Sequence, residues 1–286
     1  MFRSLIFVPG NSVRFVEKAK TLEADIICFD LEDSVPDNEK DAARSIIAET
    51  LLVRRQEYGS HIYVRTNSPE SGLISHDLKA VFQKGIDGIV VPKVNDAHEI
   101  LEIKRDIGML ERERKTDKIA LIPSIETARG VVNSYLIASA HEQIKALVFG
   151  VFDFLYDMRL DYDEHDSGGY SYARAKIPVD ARAAGVYAID AIWQKIDDVD
   201  GLVRDATMAR RLGYSGKSLI HPSQIEPVHK VFRPSKNEVE WARKVIQALS
   251  HAMTEGTGSG AVRLDGKMVD AVHYKQAKAI LDATDA

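Results

Sequence analysis

The sequence predicts an α/β fold, a (β/α)8 TIM barrel with a C-terminal arm and helix extension. Three observations carry this. Short apolar runs alternate with longer amphipathic segments eight times within 286 residues. The runs are continuously apolar, as strands covered on both faces of a parallel sheet are. Acidic and basic residues gather directly behind the runs, at the end where such a barrel carries its chemistry. The alternation also permits a doubly wound open sheet; the count of eight and the length favour the barrel.

The elements follow in order. Residues 5–9 (LIFVP) form a strand that stops at Pro9-Gly10. Residues 14–23 follow as a helix, with Phe15, Ala19 and Leu22 at helical spacing. Strand 25–29 (DIICF) leads through the turn Ser34-Val35-Pro36-Asp37 into helix 38–54. Strand 61–65 precedes helix 78–85, strand 88–93 precedes helix 97–113, and strand 119–124 precedes helix 130–140. Strand 146–150 is followed by a stretch without regular pattern, then by helix 173–184. Strand 187–193 with helix 200–212, and strand 218–221 with helix 237–251, complete eight units. The sequence TEGTGSG at 254–260 reads as a flexible linker. A strand-like piece and a helix follow at 262–283. The expected organisation is a barrel over 1–250, then a linker and arm over 251–286 that packs on a neighbouring subunit.

Composition excludes several classes. At 45% hydrophobic and 28% charged, the chain has ordinary globular values. A net charge of −5 gives no general attraction to nucleic acid or anionic membrane. The single cysteine, Cys28, rules out an internal disulfide framework and fits a reducing compartment. The opening MFRSLIFVPG breaks at Pro-Gly instead of extending as a signal segment. No apolar stretch approaches the roughly 20 residues of a membrane helix. These features lead to the expectation of a cytoplasmic protein.

The strand ends carry the chemistry. The second ends in Asp30, Glu32 and Asp33, the third in Arg65-Thr66-Asn67, the fourth in Pro92-Lys93, and the fifth in Glu126 to Gly130. Asp153 follows the sixth, the seventh carries Asp190, and the eighth ends in His221. Singly, such carboxylates serve as helix caps and turn residues; so many on one rim point to a site. Glu126 and Asp153 end neighbouring strands, and two carboxylates with water and substrate oxygens suit Mg2+. The absence of a Cys/His cluster argues against zinc. An Arg on a nearby strand end grips a carboxylate in two places. Metal, Arg and acids together describe a site for a 2-oxo acid, in which a metal stabilises an enolate.

Six stretches occur in the order of a known family: RSLIFVPG at 3–10, DLEDSV at 30–35, VRTN at 64–67, VPK at 91–93, IETARG at 125–130 and GKSLIHP at 216–222. The chain resembles the citrate lyase β-subunit-like group of the HpcH/HpaI aldolase superfamily, which includes malyl-CoA and citramalyl-CoA lyases. The resemblance covers essentially the whole chain. It implies a Mg2+-dependent carbon–carbon lyase, with Mn2+ as a substitute ion, acting on a 3-hydroxyacyl-CoA and releasing a 2-oxo acid. By position it makes Glu126 and Asp153 the metal ligands and Arg65 the clamp on the oxo-acid carboxylate. Glu32 and Asp33 would lie behind the metal-bound waters. Asp190 would lie near the substrate, and Phe7 and Lys18 would contact CoA.

The segment LDGKMVD at 264–270 looks like the arm of the stand-alone CoA lyases. That resemblance implies that Asp270 enters a neighbour's site as acid/base, and hence a homo-oligomer, trimer or hexamer. The plainer reading of Asp270 is a helix N-cap. Three departures stand out: Phe152 replaces a Glu found in many relatives, Ser12 replaces an Arg, and segment 156–170 is rich in acids and tyrosines. Two other functions stay open, a malyl-CoA thioesterase and a citrate lyase β-subunit working within a carrier-protein complex. A class II aldolase would leave Lys18 and the arm without a role.

Overall fold

A computed structural model describes residues 2–163, 168–254 and 261–284. The linker expected at 254–260 lies outside the described residues except for Thr254, as do residues 164–167 of the segment 156–170. Two compact units divide the chain, residues 1–229 and 230–286.

The first unit is a closed barrel of eight parallel strands in sequence order, β1 pairing with both β2 and β8. The strands are β1 Ser4–Pro9, β2 Ile26–Asp30, β3 His61–Arg65, β4 Gly88–Val91, β5 Ala120–Ile125, β6 Ala146–Phe149, β7 Tyr187–Asp190 and β8 Gly216–Leu219. The helices between them are α1 Val13–Ala19, α2 Lys40–Arg54, α3 Ile74–Val81, α4 Ala97–Arg114, α5 Ala128–Ala138, α6 Val151–Met158, α7 Ser171–Ala183 and α8 Val199–Leu212; α9 Ile225–Phe232 follows β8. Helix α6 fills the stretch that shows no regular pattern in the sequence. Helix α3 begins four residues before the expected start.

Strand side chains alternate between the barrel interior and the surrounding helices. The interior holds Leu5, Ile26, Cys28, Tyr63, Val90, Ile122, Ala146, Val148 and Ile189 in one cluster, with Phe2 and Phe7 packed against it. Phe2 meets His61, Tyr63 and Tyr187 edge-on, plugging the end where the strands begin. The period of two determines what lies above the apolar filling. Two residues beyond Cys28 comes Asp30, two beyond Tyr63 comes Arg65, and four beyond Ile122 comes Glu126. The inward face of the barrel therefore turns from apolar to charged at the strand ends.

The second unit contains α10 Lys236–Thr254, strands β9 Ala261–Leu264 and β10 Lys267–Asp270, and α11 Ala271–Asp282. Two features of this unit add to the sequence reading. Helix α10, expected to close the barrel over 1–250, clusters with the C-terminal residues because Ala242, Val245 and Leu249 share a core with Val269 and Ala277. The single strand-like piece is an antiparallel hairpin turning at Asp265-Gly266, both at positive φ, as an Asp-Gly pair between two short runs favours. Among the described residues no helix is long and apolar enough to cross a membrane.

Candidate active site

A cavity of about 440 Å3 opens at the C-terminal ends of the barrel strands. Phe7, Arg65, Glu126, Val148, Asp153 and Ser218 are among its lining residues.

Arg65 is fixed from three sides. Its Nε and Nη2 donate to the two oxygens of Asp30, each at 2.7 Å. Its Nη1 lies 3.1 Å from Glu32 and 3.4 Å from Asp33. The guanidinium sits over the Phe7 ring, 4.6 Å from the centroid, a favourable cation–π stack. The Nε–Nη2 edge, one of the two that could grip a carboxylate in two places, is thus occupied by Asp30, which is fully buried. At the other end Nη1 already pairs with Glu32 and Asp33, so an incoming anion would have to exchange with these two carboxylates.

Lys93 stands opposite. Its ammonium donates to Glu32 at 2.7 Å and lies 3.4 Å from both Asp33 and Asp153. Its backbone N–H donates to Glu126 at 3.2 Å. Its φ of 54° is left-handed, which is uncommon for a residue with a side chain.

Glu126 is buried at the top of β5. Gly150 makes room for it, since a Cβ there would run into the Glu126 side chain. Burial, then the charges of Glu32 and Asp153, push the Glu126 carboxyl up to about 8. Burial, with Asp33 adding to it, raises Glu32 to about 7. Asp153 lies in the first turn of α6, whose N-cap is Gly150, so its carboxylate is left to face Lys93. Asp157, one turn on, accepts from the Ala128 N–H at 2.7 Å and ties α6 to the start of α5.

These residues fit a hard divalent cation. Five carboxylates, Asp30, Glu32, Asp33, Glu126 and Asp153, face two cations, Arg65 and Lys93. One oxygen of Glu32 is buried with no hydrogen bond, its contact being the ion pair to Arg65. Among the described residues no three His, Cys, Asp or Glu form a complete metal cage. Two carboxylates that leave the remaining positions to water and substrate are the arrangement Mg2+ accepts.

Other expected site residues fall elsewhere. Asp190 is fully buried and does not line the cavity. It accepts from Arg174 at 3.0 and 2.6 Å and from Lys217 at 2.7 Å. Burial works against its charge, but Lys217 and Arg174 outweigh this and hold the carboxyl below its ordinary range. Asp190 therefore joins strand to helix instead of meeting substrate. Removing its charge leaves two buried cations, Arg174 and Lys217, sharing the single carboxylate of Asp205; Asp190→Ala is expected to cost about 3 kcal/mol of stability. Denaturant unfolding checks this.

Lys18 is exposed in the last turn of α1, outside the cavity lining, while Phe7 forms part of the lining. His221 caps a short helical turn through the Ser223 N–H. Asp270 caps α11, accepting from Val272 N at 3.0 Å and lying 2.7 Å from His273 Nδ1. That contact with His273 comes first in holding its carboxyl below the ordinary value.

The model of the HpcH/HpaI aldolase/citrate lyase family matches residues 3–222. The chain belongs to this family and is an enzyme of the lyase kind. It is 36% identical to the citrate lyase subunit beta of Leuconostoc mesenteroides subsp. cremoris, over 99% of this chain and 93% of that protein. It is 33% identical to the mitochondrial citramalyl-CoA lyase of Rattus norvegicus, over 98% and 85%. It is 32% identical to a (3S)-malyl-CoA thioesterase of Cereibacter sphaeroides, over 100% and 95%. Among solved structures, CitE from Mycobacterium tuberculosis in complex with magnesium, acetoacetate and coenzyme A superposes with a TM-score of 0.80 at 27% identity, covering 100% of this chain and 98% of that one.

Proposed function

We propose that this protein is a Mg2+-dependent carbon–carbon lyase that cleaves, or forms, a 3-hydroxyacyl-CoA such as malyl-CoA or citramalyl-CoA. The products are a 2-oxo acid, glyoxylate or pyruvate, and an acyl-CoA. The observation that carries this reading is the pairing of Glu126 and Asp153 beside Arg65 in one cavity. The magnesium and CoA in the complex of the M. tuberculosis relative support it.

Glu126 and Asp153 would hold the ion. When bound, Mg2+ (Mn2+ as a substitute) supplies a Lewis acid toward the oxo-acid oxygens and offsets charge that builds in the transition state. The chain does the rest. Arg65, pinned by Asp30, turns its Nη1 from Glu32 and Asp33 to the oxo-acid carboxylate. Glu32, beside Asp33 at the cavity rim, accepts the 3-hydroxyl proton as the carbon–carbon bond breaks. Apolar walls from Phe7, Val148 and Phe152 limit water around the enolate that leaves. Phe7 and Lys18 serve as CoA contacts. Asp270 of a neighbouring copy exchanges a proton with the enolate carbon, which makes the active form a homo-oligomer, a trimer or hexamer. Held as its anion by His273, Asp270 is suited to taking the α-proton in the condensation direction.

The thioesterase reading is favoured by the C. sphaeroides relative, and the carrier-dependent reading by the L. mesenteroides one. One assay separates all three: malyl-, methylmalyl- and citramalyl-CoA are incubated with enzyme and Mg2+, and products are resolved. A 2-oxo acid with an acyl-CoA is the expected outcome. Free malate or citramalate with CoA would mean hydrolysis, and no turnover of any CoA ester would mean dependence on a carrier protein.

A further inference from the structure

Lys93 is the residue in the site whose conformation and contacts the proposed reaction leaves unexplained. Its left-handed backbone is held in place by its surroundings. Asn95 Nδ2 donates to the Lys93 carbonyl at 3.2 Å, and Thr127 Oγ1 donates to Asn95 Oδ1 at 2.7 Å. Asn133 donates to the Asn95 carbonyl at 2.9 Å, and the Val94 N–H donates to the Ser124 carbonyl at 3.2 Å. A Cβ on Gly130 would come within 2.6 Å of the Val94 carbonyl oxygen, so α5 packs against this loop only because Gly130 has none. Backbone held in a sparsely populated region by so many contacts marks a position where geometry serves function. Here the Lys93 N–H is aimed at Glu126, and the side chain runs to Glu32, Asp33 and Asp153.

Resting on the metal reading above, we propose that Lys93 is a positioning residue, a tethered cation that keeps the carboxylate cage assembled before metal arrives and thereby lowers the affinity for that metal. The backbone half of the residue orients Glu126. The ammonium holds Asp153 toward Glu32 and Asp33, which would otherwise repel one another. The same charge opposes an arriving divalent cation. That repulsion over a few ångströms outweighs the rotamer freedom one aspartate regains when the ammonium is lost. The ETARG stretch at 126–130 thus does two jobs: Glu126 is the ligand, and Thr127 and Gly130 brace the loop that aims it.

The test is calorimetric titration of the whole protein with Mg2+, without substrate. Lys93→Met is expected to bind Mg2+ about tenfold more tightly than wild type and to melt at a lower temperature when metal is absent. Lys93→Arg keeps the charge and is expected to stay within about threefold of wild type. If Lys93→Met does not fold without metal, Lys93→Gln reads the same quantity. A neutral variant that binds Mg2+ equally or more weakly than wild type overturns the assignment of Lys93 alone. A wild-type protein that takes up no Mg2+ overturns the metal reading on which the assignment rests.

Discussion

Asp153→Ala is expected to lower kcat by about 10^2- to 10^3-fold, or about 3–4 kcal/mol of barrier, the scale of losing one preorganised electrostatic group at a reacting centre. Mg2+ binding should weaken in parallel. The fold should survive. Asp153 is 37% exposed at its side chain, and α6 begins on Gly150, so the substitution removes no cap. The melting temperature without metal is expected to change little, which separates a lost ligand from a damaged scaffold. Retention of near-normal, Mg2+-dependent turnover would mean that the metal is held elsewhere.

The second large effect couples pH to metal. Without metal, Glu126 titrates at about 8 and Glu32 at about 7, against an ordinary value near 4.5. The folded state therefore keeps protons that the unfolded chain has released. The stability these groups contribute is full below the unfolded value and is lost as pH rises through the folded ones. A divalent cation reverses this, because it binds the ionised carboxylates and displaces their protons. The rise in melting temperature on adding Mg2+ is accordingly expected to be small near about pH 6 and several-fold larger near about pH 8.5. Thermal shift at matched ionic strength reads this directly. An increment that is constant, or that shrinks with rising pH, would contradict the coupling.

Much of the barrel was legible because burial on both faces leaves an unmistakable run of apolar residues; β3 occupies the residues expected of it. Helix α6 was not legible because VFDFLYDM is only two turns long and starts on Gly150 with no side-chain cap to announce it. The hairpin carried a readable signal in Asp265-Gly266 that its short flanking strands obscured.

Within the site the same contrast holds. Glu126, Asp153, Arg65 and Asp33 line one cavity, and Glu32 adjoins it through Arg65 and Lys93. Asp30 as the anchor of Arg65, and Asp190 as a buried structural charge, both follow from strand parity. Cys28 faces inward, so Asp30 does too; Ile189 faces inward, so Asp190 points out toward the helices, where Arg174 meets it. Counting in twos would have separated them. The left-handed turn at Lys93 follows from contacts among Asn95, Thr127 and Gly130, residues up to 37 positions away in sequence, and no local pattern announces it.

A crystal soaked in Mn2+ and measured for anomalous scattering shows whether Glu126 and Asp153 together hold a divalent ion in the barrel mouth. A single strong site is expected in the cavity, within bonding distance of both carboxylates and beside Arg65. A site that excludes either carboxylate, or no site in the cavity at all, would contradict it.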